Sequence, residues 1–281
     1  MDLILTAVSG VALVATLTTS VSADAVPTFP GPKADYHGYD RYDFVVDGCK
    51  CTVTAPKVAA PGNQWVWRAE FLDAFPQIDL ALLGKGFYLA YMNVGNTFGC
   101  PSAMAHFDAF YAAMAGQYGM AKKPVLEGLS RGGLYVYNWG AANPEKLLCI
   151  LGDNAVCDFK SWPGGKGRGP GSPGDWQKLI QDYGFKSEQE ALAYTKNPID
   201  NLAPLAEHHV PLLHLCGDAD EAVPYEENTV ILEERYEKLG GKITVIVKHG
   251  FKHHPHGLDD PTPVVDFVFG LLGTGASKGR G

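Results

Sequence analysis

The sequence lacks the features that identify several common classes of protein. Its 281 residues carry a net charge of -8, which argues against a general nucleic-acid binder because such proteins need a basic face. It has no Cys-x-x-Cys pair for a structural zinc site and no Gly-Lys-Ser/Thr sequence for a phosphate-binding loop. A Gly-x-Gly-x-x-Gly pattern occurs at 169–174, but no strand precedes it and prolines interrupt it, so it does not predict dinucleotide binding.

Long hydrophobic runs are also scarce, and the N-terminal one has little positive charge. Residues 3–17 are apolar but too few for a membrane span, and neither lysine nor arginine precedes them. Ala23 and Ala25 are small residues of the kind that signal peptidase requires. We predict that residues 1–25 form the signal peptide of a secreted or periplasmic protein. The alternative is a buried N-terminal helix.

Cysteine is infrequent and its spacing fixes no disulfide framework. Of the six cysteines, Cys49 and Cys51 would face the same side of a strand and could not easily bridge each other. Cys100 and Cys157 are at loop positions and could form a disulfide, although sequence alone does not give the connectivity.

What the chain does contain is a regular alternation of apolar strand-like runs and amphipathic helix-like runs. Hydrophobic residues make up 46% of the chain, enough for a large core. The alternation predicts an α/β fold with a mostly parallel central sheet and helices on both faces. We expect one domain over residues 26–272 and a disordered tail over 273–281. The insertion at 159–209 is predicted to be a lid over the ligand site, with a purely structural excursion as the alternative.

The segment Gly128-Leu129-Ser130-Arg131-Gly132 lies between a predicted strand and a predicted helix. This context is typical of a nucleophile elbow, in which a sharp turn exposes the serine hydroxyl and the residues two before and two after it must be small. We therefore predict Ser130 as a nucleophile. An ordinary strand-to-helix turn is the alternative.

A serine nucleophile needs a base and an orienting acid, which follow it in the order Asp, then His, in this type of fold. Asp218 and Asp220 both follow a predicted strand, and the pattern Gly-x-x-Asp-x-x-Val-Pro favours Asp220. The next strand leads into Gly-x-x-His, which favours His253 as the base, with His254 second.

Histidine also occurs at 249 and 256 in the same loop, which raises the question of a metal site. The loop is broken by glycine and proline and has no carboxylate at ligand spacing. We therefore expect neither a metal nor a cofactor, and metal binding by these histidines is the minor alternative.

The remaining site residues are predicted from their places beside these motifs. The oxyanion hole needs two donors. One is expected from the backbone N–H of Arg131, and the other from the loop after the third strand, where we assign Arg68. Trp67, Trp162 and Trp176 are predicted to contact substrate, although Trp67 could be part of the core and the other two could anchor the insertion.

A cationic group near the elbow suggests an acidic substrate. Arg131 follows the nucleophile, and Lys160, Lys166 and Arg168 lie on or near the insertion of an otherwise acidic protein. One hypothesis is therefore an ester on a uronate-containing polysaccharide. The alternative is that these side chains are solvated or pair with nearby acids.

Taken with these motifs, the chain resembles the α/β-hydrolase superfamily over about residues 40–272. The Ser-Arg-Gly-Gly elbow and the predicted signal peptide look like bacterial secreted carbohydrate esterases, and a serine followed by arginine is similar to glucuronoyl esterases. The latter resemblance implies that Arg131 helps to hold the oxyanion. The resemblance implies a secreted serine esterase without a cofactor, acting on a small-molecule or polysaccharide ester. The alternatives are a prolyl-oligopeptidase-type serine peptidase and an inactive hydrolase fold used for binding.

Overall fold

The structure, a computed structural model, describes residues 26–275. The predicted signal peptide lies outside these residues, so secretion stays a prediction. The predicted disordered tail lies mostly outside them as well, and its first three residues belong to the last helix.

The architecture is built on one mixed sheet of nine strands. In chain order they are β1 (Lys33–Tyr36), β2 (Tyr39–Val46), β3 (Cys49–Ala55), β4 (Trp65–Arg68), β5 (Tyr88–Asn93), β6 (Val125–Leu129), β7 (Cys149–Asp153), β8 (Leu212–Gly217) and β9 (Ile243–Lys248). Their spatial order is β1-β2-β3-β5-β4-β6-β7-β8-β9. The first three are antiparallel to their neighbours, and β5, β4 and β6 to β9 run parallel. The sheet is therefore mostly parallel, as predicted.

Eight α-helices accompany the strands in residues 26–275. They are α1 (Gln77–Gly84), α2 (Pro101–Tyr111), α3 (Gly132–Ala142), α4 (Pro173–Asp182), α5 (Glu188–Leu192), α6 (Ala203–Glu207), α7 (Thr229–Lys238) and α8 (Thr262–Gly275). A π-helical segment, Ala112–Gln117, follows directly after α2. No helix in residues 26–275 is long and apolar enough to cross a membrane.

Alternation of side chains along the strands creates one core on each face of the sheet. On β4, Trp65 and Trp67 point into the larger core, which α2 and α3 cover. Val66, between them, points into the smaller core under α1 and α8. Because side chains two apart share a face of a strand, Arg68 is directed to the same face as Val66. This direction becomes important for the site.

The insertion between β7 and β8 is folded and anchored. It carries α4 to α6 and inserts Phe159, Trp176 and Leu179 into the larger core. The backbone at Gly169 lies so close to the loop after β8 that an added Cβ would be 3.0 Å from the carbonyl oxygen of Glu221. The insertion therefore supports that loop from the side.

All six cysteines are unpaired thiols, and all lie in the described part of the chain. Cys100 and Cys157 are both buried, and the Cys157 thiol donates to the carbonyl of Ala155. A disulfide between Cys100 and Cys157, left open by the sequence, is absent from the described residues.

Candidate active site

The predicted elbow forms a sharp turn between β6 and α3. Ser130 has a φ of +48°, a conformation that costs free energy for residues other than glycine and that is often found at active sites. The turn is held by its backbone: the Ser130 N–H donates to Asp153, and the Ser130 carbonyl accepts from Gly133 and Val156, at 2.8–3.0 Å. The backbone therefore fixes the serine independently of its side chain.

Two glycines of the elbow, Gly128 and Gly133, have no room for a side chain, whereas the predicted pair was Gly128 and Gly132. A Cβ on Gly128 would lie 2.7 Å from the Gly132 carbonyl oxygen, and one on Gly133 would lie 2.6 Å from the Val156 carbonyl oxygen. A Cβ on Gly132 would meet nothing nearer than 3.5 Å, at the Cβ of Glu70. The expectation that residue 132 must lack bulk is therefore wrong, and residue 133 carries that requirement.

This difference gives a stability prediction. Gly133→Ala is expected to lower the free energy of unfolding by about 1–3 kcal/mol, because the clash is with backbone that cannot rotate away. Gly132→Ala is the matched control and should be neutral or slightly stabilising, because alanine favours a helix over glycine. Urea unfolding of the two variants checks the prediction, and an equal loss in both would contradict it.

The predicted nucleophile, base and acid lie in one hydrogen-bonded chain. The Ser130 Oγ is 2.9 Å from the Nε2 of His253, and the Nδ1 of His253 is 2.6 Å from the Oδ2 of Asp220. The other oxygen of Asp220 accepts the backbone N–H groups of Ala222 and Val223, each at 2.9 Å. The carboxylate is therefore oriented by its own loop. The three side chains come from the ends of β6, β8 and β9, which the parallel sheet brings to one edge.

The runner-up residues have other partners. Asp218 accepts from the backbone of Gly250 and pairs with the exposed ring of His249 at 2.8 Å. His254 makes no hydrogen bond within residues 26–275, and its ring stacks on Phe75 at 5.6 Å. Neither Asp218 nor His254 therefore belongs to the hydrogen-bonded chain at Ser130.

Asn154 is a functional candidate that the sequence analysis missed. Its side-chain amide donates to the carbonyl of His253 at 2.9 Å, and its oxygen accepts from the N–H of Gly217 at 2.8 Å. It thus ties the histidine loop to the end of β8, where the acid loop begins. Its positive φ, +43°, is the only local unusual feature, and no sequence pattern marks it.

A small cavity of about 170 Å³ opens beside the serine. It is lined by Phe71, Ala74, Phe75, Leu129, Ser130, His253, His254 and His256. No side chain of the insertion is among these residues, and the lid predicted over residues 159–209 stays a prediction. The lining is apolar on one side and carries imidazoles on the other.

Arg68 was predicted as an oxyanion donor, and the structure places its side chain elsewhere. The guanidinium is fully buried beneath the loop that follows β4, ion-paired with Asp79 and 3.5 Å from Glu127. Burial alone would lower the pKa of Arg68, but the charges of Asp79 and Glu127 outweigh this effect and raise it. The prediction is wrong because residue 68 faces the smaller core.

The same guanidinium shapes the loop next to Ser130. Its Nε donates to the carbonyls of Glu70 and Phe71, each at 3.2 Å, and its Nη2 to that of Ala74. These three hydrogen bonds hold the loop, in which Phe71 has a φ of +54°. Arg68 is thus a positioning residue for the wall of the cavity.

Two backbone N–H groups at the cavity are available for a ligand. Those of Arg131 and Phe71 have no acceptor in residues 26–275. The side chain of Arg131 joins their two segments, because it pairs with Glu70 at 3.2 Å and lies over the Phe71 ring at 4.8 Å. Burial raises the pKa of Glu70, and the charge of Arg131 opposes that rise.

The three tryptophans predicted to contact substrate are elsewhere. Trp67 is completely buried, with its ring 4.7 Å from Phe107 and 4.9 Å from Trp139. Trp176 is buried in the insertion and donates its indole N–H to Glu188 at 3.0 Å. Trp162 packs against the larger core and does not line the cavity. Packing accounts for all three.

The cations that suggested a uronate substrate each have a local acidic partner. The pairs are Arg131–Glu70 at 3.2 Å, Lys160–Asp200 at 3.9 Å, Lys166–Glu188 at 2.7 Å and Arg168–Glu226 at 3.5 Å. None of these four cations lines the cavity at Ser130. The structure therefore gives the acidic-substrate hypothesis no support.

The comparisons with known proteins report no sequence match and a clear likeness of structure. No protein-family model matches the chain, and no curated protein matches it. Among solved structures, it is similar to the dipeptidyl peptidase 4 of Porphyromonas gingivalis, with a TM-score of 0.61, 12% identity and coverage of 83% of this chain and 35% of that one. It is also similar to a puromycin-hydrolyzing peptidase of Mycobacterium tuberculosis, with a TM-score of 0.60, 16% identity and coverage of 86% and 40%.

A third solved structure gives the same result. The acylaminoacyl peptidase of Pyrococcus horikoshii has a TM-score of 0.58 and 11% identity, with coverage of 78% of this chain and 40% of that one. The chain therefore spans 35–40% of the length of these neighbours. This likeness shows that the chain has the α/β-hydrolase fold. The mostly parallel sheet, the elbow after β6 and the edge at which the three polar side chains meet agree with it.

Proposed function

We propose that the protein is a serine hydrolase that forms an acyl-enzyme intermediate. The observation that carries the proposal is the continuous chain from the Ser130 hydroxyl through His253 to Asp220, at 2.9 and 2.6 Å. A serine hydroxyl is a poor nucleophile at neutral pH, and this arrangement supplies the base that it needs. The strained serine turn, held by backbone bonds, supports the same conclusion.

The geometry suggests a role for each group. The Ser130 Oγ attacks the substrate carbonyl carbon while its proton passes to the Nε2 of His253. Asp220 accepts from the Nδ1 of the same ring and stabilises the imidazolium that forms. The histidine then gives the proton to the leaving group, which departs and leaves the acyl group on Ser130. Water repeats the sequence and releases the acid.

The backbone N–H groups of Arg131 and Phe71 are the proposed oxyanion donors. Both belong to segments that border the cavity, and neither has an acceptor in the described residues. Preorganised donors of this kind stabilise the charge that develops on the carbonyl oxygen. The side chains of Arg131 and Arg68 would hold the Phe71 N–H in place and not contact the oxyanion themselves, since both are paired with carboxylates and bind the loop that carries Phe71.

Peptide or aminoacyl amides are the substrates that we propose first. The neighbours in structure are named as dipeptidyl, puromycin-hydrolyzing and acylaminoacyl peptidases. Because this chain spans less than half the length of each, a peptidase activity is only proposed for it. Ester hydrolysis, including deacylation of carbohydrates, is the second candidate. It is favoured by the small size of the cavity beside Ser130, about 170 Å³, which suits a short acyl group.

Matched substrates separate these candidates. Activated esters cannot distinguish a peptidase from an esterase, because they react with any serine hydrolase. Each acyl group should therefore be tested as both an amide and an ester. We expect measurable kcat/KM on aminoacyl or peptidyl anilides. Cleavage of O-acetylated sugars or uronate methyl esters, with no turnover of any anilide, would establish the second candidate instead. An absence of both, with no fluorophosphonate labelling of Ser130, would indicate an inactive fold used for binding.

A further inference from the structure

Three histidine rings line the cavity and face one another. The rings of His253, His254 and His256 have centroids 4.9–5.0 Å apart and planes inclined at 68–79°. One ring nitrogen from each lies within 4.8 Å of those from the other two. Three ring nitrogens this close to one another are a starting arrangement from which three histidines can bind one metal ion.

Two of the three rings are already oriented by carboxylates. The Nδ1 of His253 bonds to Asp220 at 2.6 Å, and the Nδ1 of His256 bonds to Asp153 at 3.0 Å. Metal-binding histidines usually donate their second ring nitrogen to a carboxylate or carbonyl, which fixes the tautomer and raises the basicity of the nitrogen that binds. Each of these rings therefore has its Nε2 as the nitrogen left for a ligand.

The third ring can supply the movement that binding requires. Nitrogens on one tetrahedral zinc ion are roughly 3.3 Å apart, so the three rings would have to approach one another from their present separation. His254 is exposed and has no hydrogen bond in the described part of the chain. Its rotation therefore breaks no hydrogen bond and gives up the stacking on Phe75.

We propose that His253, His254 and His256 bind a divalent transition-metal ion such as Zn²⁺, and that the bound ion inhibits the protein. Three histidine ligands leave a fourth position open to solvent. The inhibition follows from shared use of one atom: the Nε2 of His253, 2.9 Å from the Ser130 Oγ, cannot accept a proton while it binds a metal. Metal binding does not depend on the proposed hydrolase function, whereas inhibition rests on it.

Direct titration tests the site. Tag-free, chelator-treated protein should bind one Zn²⁺ per chain by isothermal titration calorimetry, and Ser130→Ala should retain that binding. His254→Ala should weaken Kd by at least about tenfold, because even the loss of an outer-shell partner commonly costs about 10–100-fold. His249→Ala is the matched control, since this exposed histidine of the same loop pairs with Asp218 outside the cluster.

Circular dichroism should show that both variants are folded, because His254 and His249 are exposed. The proposed site is overturned if the folded wild type shows no saturable binding. It is also overturned if His249→Ala weakens binding as much as His254→Ala does.

Fluorophosphonate labelling of Ser130 tests the inhibition without a known substrate. Labelling should fall as Zn²⁺ is added, with a midpoint that agrees with the calorimetric Kd, and a chelator should restore it. Binding without loss of labelling, or faster labelling with zinc, would overturn the inhibition. If metal-free protein is not labelled, the proposed function and the inhibition both fail, and the titration still decides the metal site.

Discussion

Ser130→Ala is expected to lower the rate of hydrolysis by on the order of 10⁴-fold or more, the loss usually seen when a member of such a triad is removed. The physical reason is that, in the described part of the chain, no other hydroxyl lines the cavity that His253 faces. The measurement is kcat/KM on whichever amide or ester proves to be the best substrate, together with fluorophosphonate labelling.

The substitution should leave the fold intact, which makes the result interpretable. The bonds that hold the turn use the Ser130 backbone, and among the described residues its Oγ forms a hydrogen bond only with His253. Alanine at a φ of +48° is strained much as serine is. Ser102→Ala is the control, because Ser102 is an exposed serine at the start of α2 whose hydroxyl forms a hydrogen bond with the thiol of Cys100. If Ser130→Ala kept substantial activity while Ser102→Ala lost it, the nucleophile would be misassigned.

The parts of the site that sequence predicted are those determined by local geometry or by chain order. The elbow requires small residues around a serine between a strand and a helix, and this requirement is visible within a few residues. Asp220 and His253 follow strands that end at the same edge of a parallel sheet, so strand order alone brings them near Ser130. Even so, the steric requirement fell on Gly133 rather than Gly132, because the constraint comes from Val156, a distant residue.

The parts that sequence could not predict depend on which face a side chain occupies. Trp67 and Arg68 are neighbours on β4, and both were assigned to the site. One points into the larger core and the other into the smaller. The pairing of Arg68 with Glu127 spans 59 residues and leaves no local pattern. The same holds for Phe71, whose strained backbone depends on donors from Arg68 rather than on any preference of phenylalanine for positive φ.

The insertion illustrates a similar limit. Its tryptophans and cations suggested contact with a polysaccharide, but composition does not reveal the direction in which a segment packs. Trp176 is buried against Phe159, and Lys166 pairs with Glu188 within the same segment. Since aromatic residues in an ordered insertion bury large apolar areas, anchoring the segment accounts for them without a ligand.

The second large effect is expected at the base and the acid. His253→Ala should match the loss of Ser130→Ala, because within residues 26–275 this ring alone contacts both the Ser130 hydroxyl and the Asp220 carboxylate. Asp220→Asn should cost about 10⁴-fold, because an amide donor at that position favours the wrong tautomer of the histidine. The backbone bonds from Ala222 and Val223 can persist in Asp220→Asn, so the loss should appear in kcat rather than in stability.

The matched variants are His254→Ala and Asp218→Asn. His254 reaches neither partner and should cause a much smaller loss than His253. Asp218 pairs with His249, whose side chain is 85% exposed, and solvent screens such an exposed pair, so the rate should change by no more than about fivefold. Comparing kcat and KM for all four variants, with melting temperatures as a check on folding, decides the assignment. Equal damage from Asp218→Asn and Asp220→Asn, or a greater loss from His254→Ala than from His253→Ala, would mean that the hydrogen-bonded chain in this structure is not the one that transfers the proton.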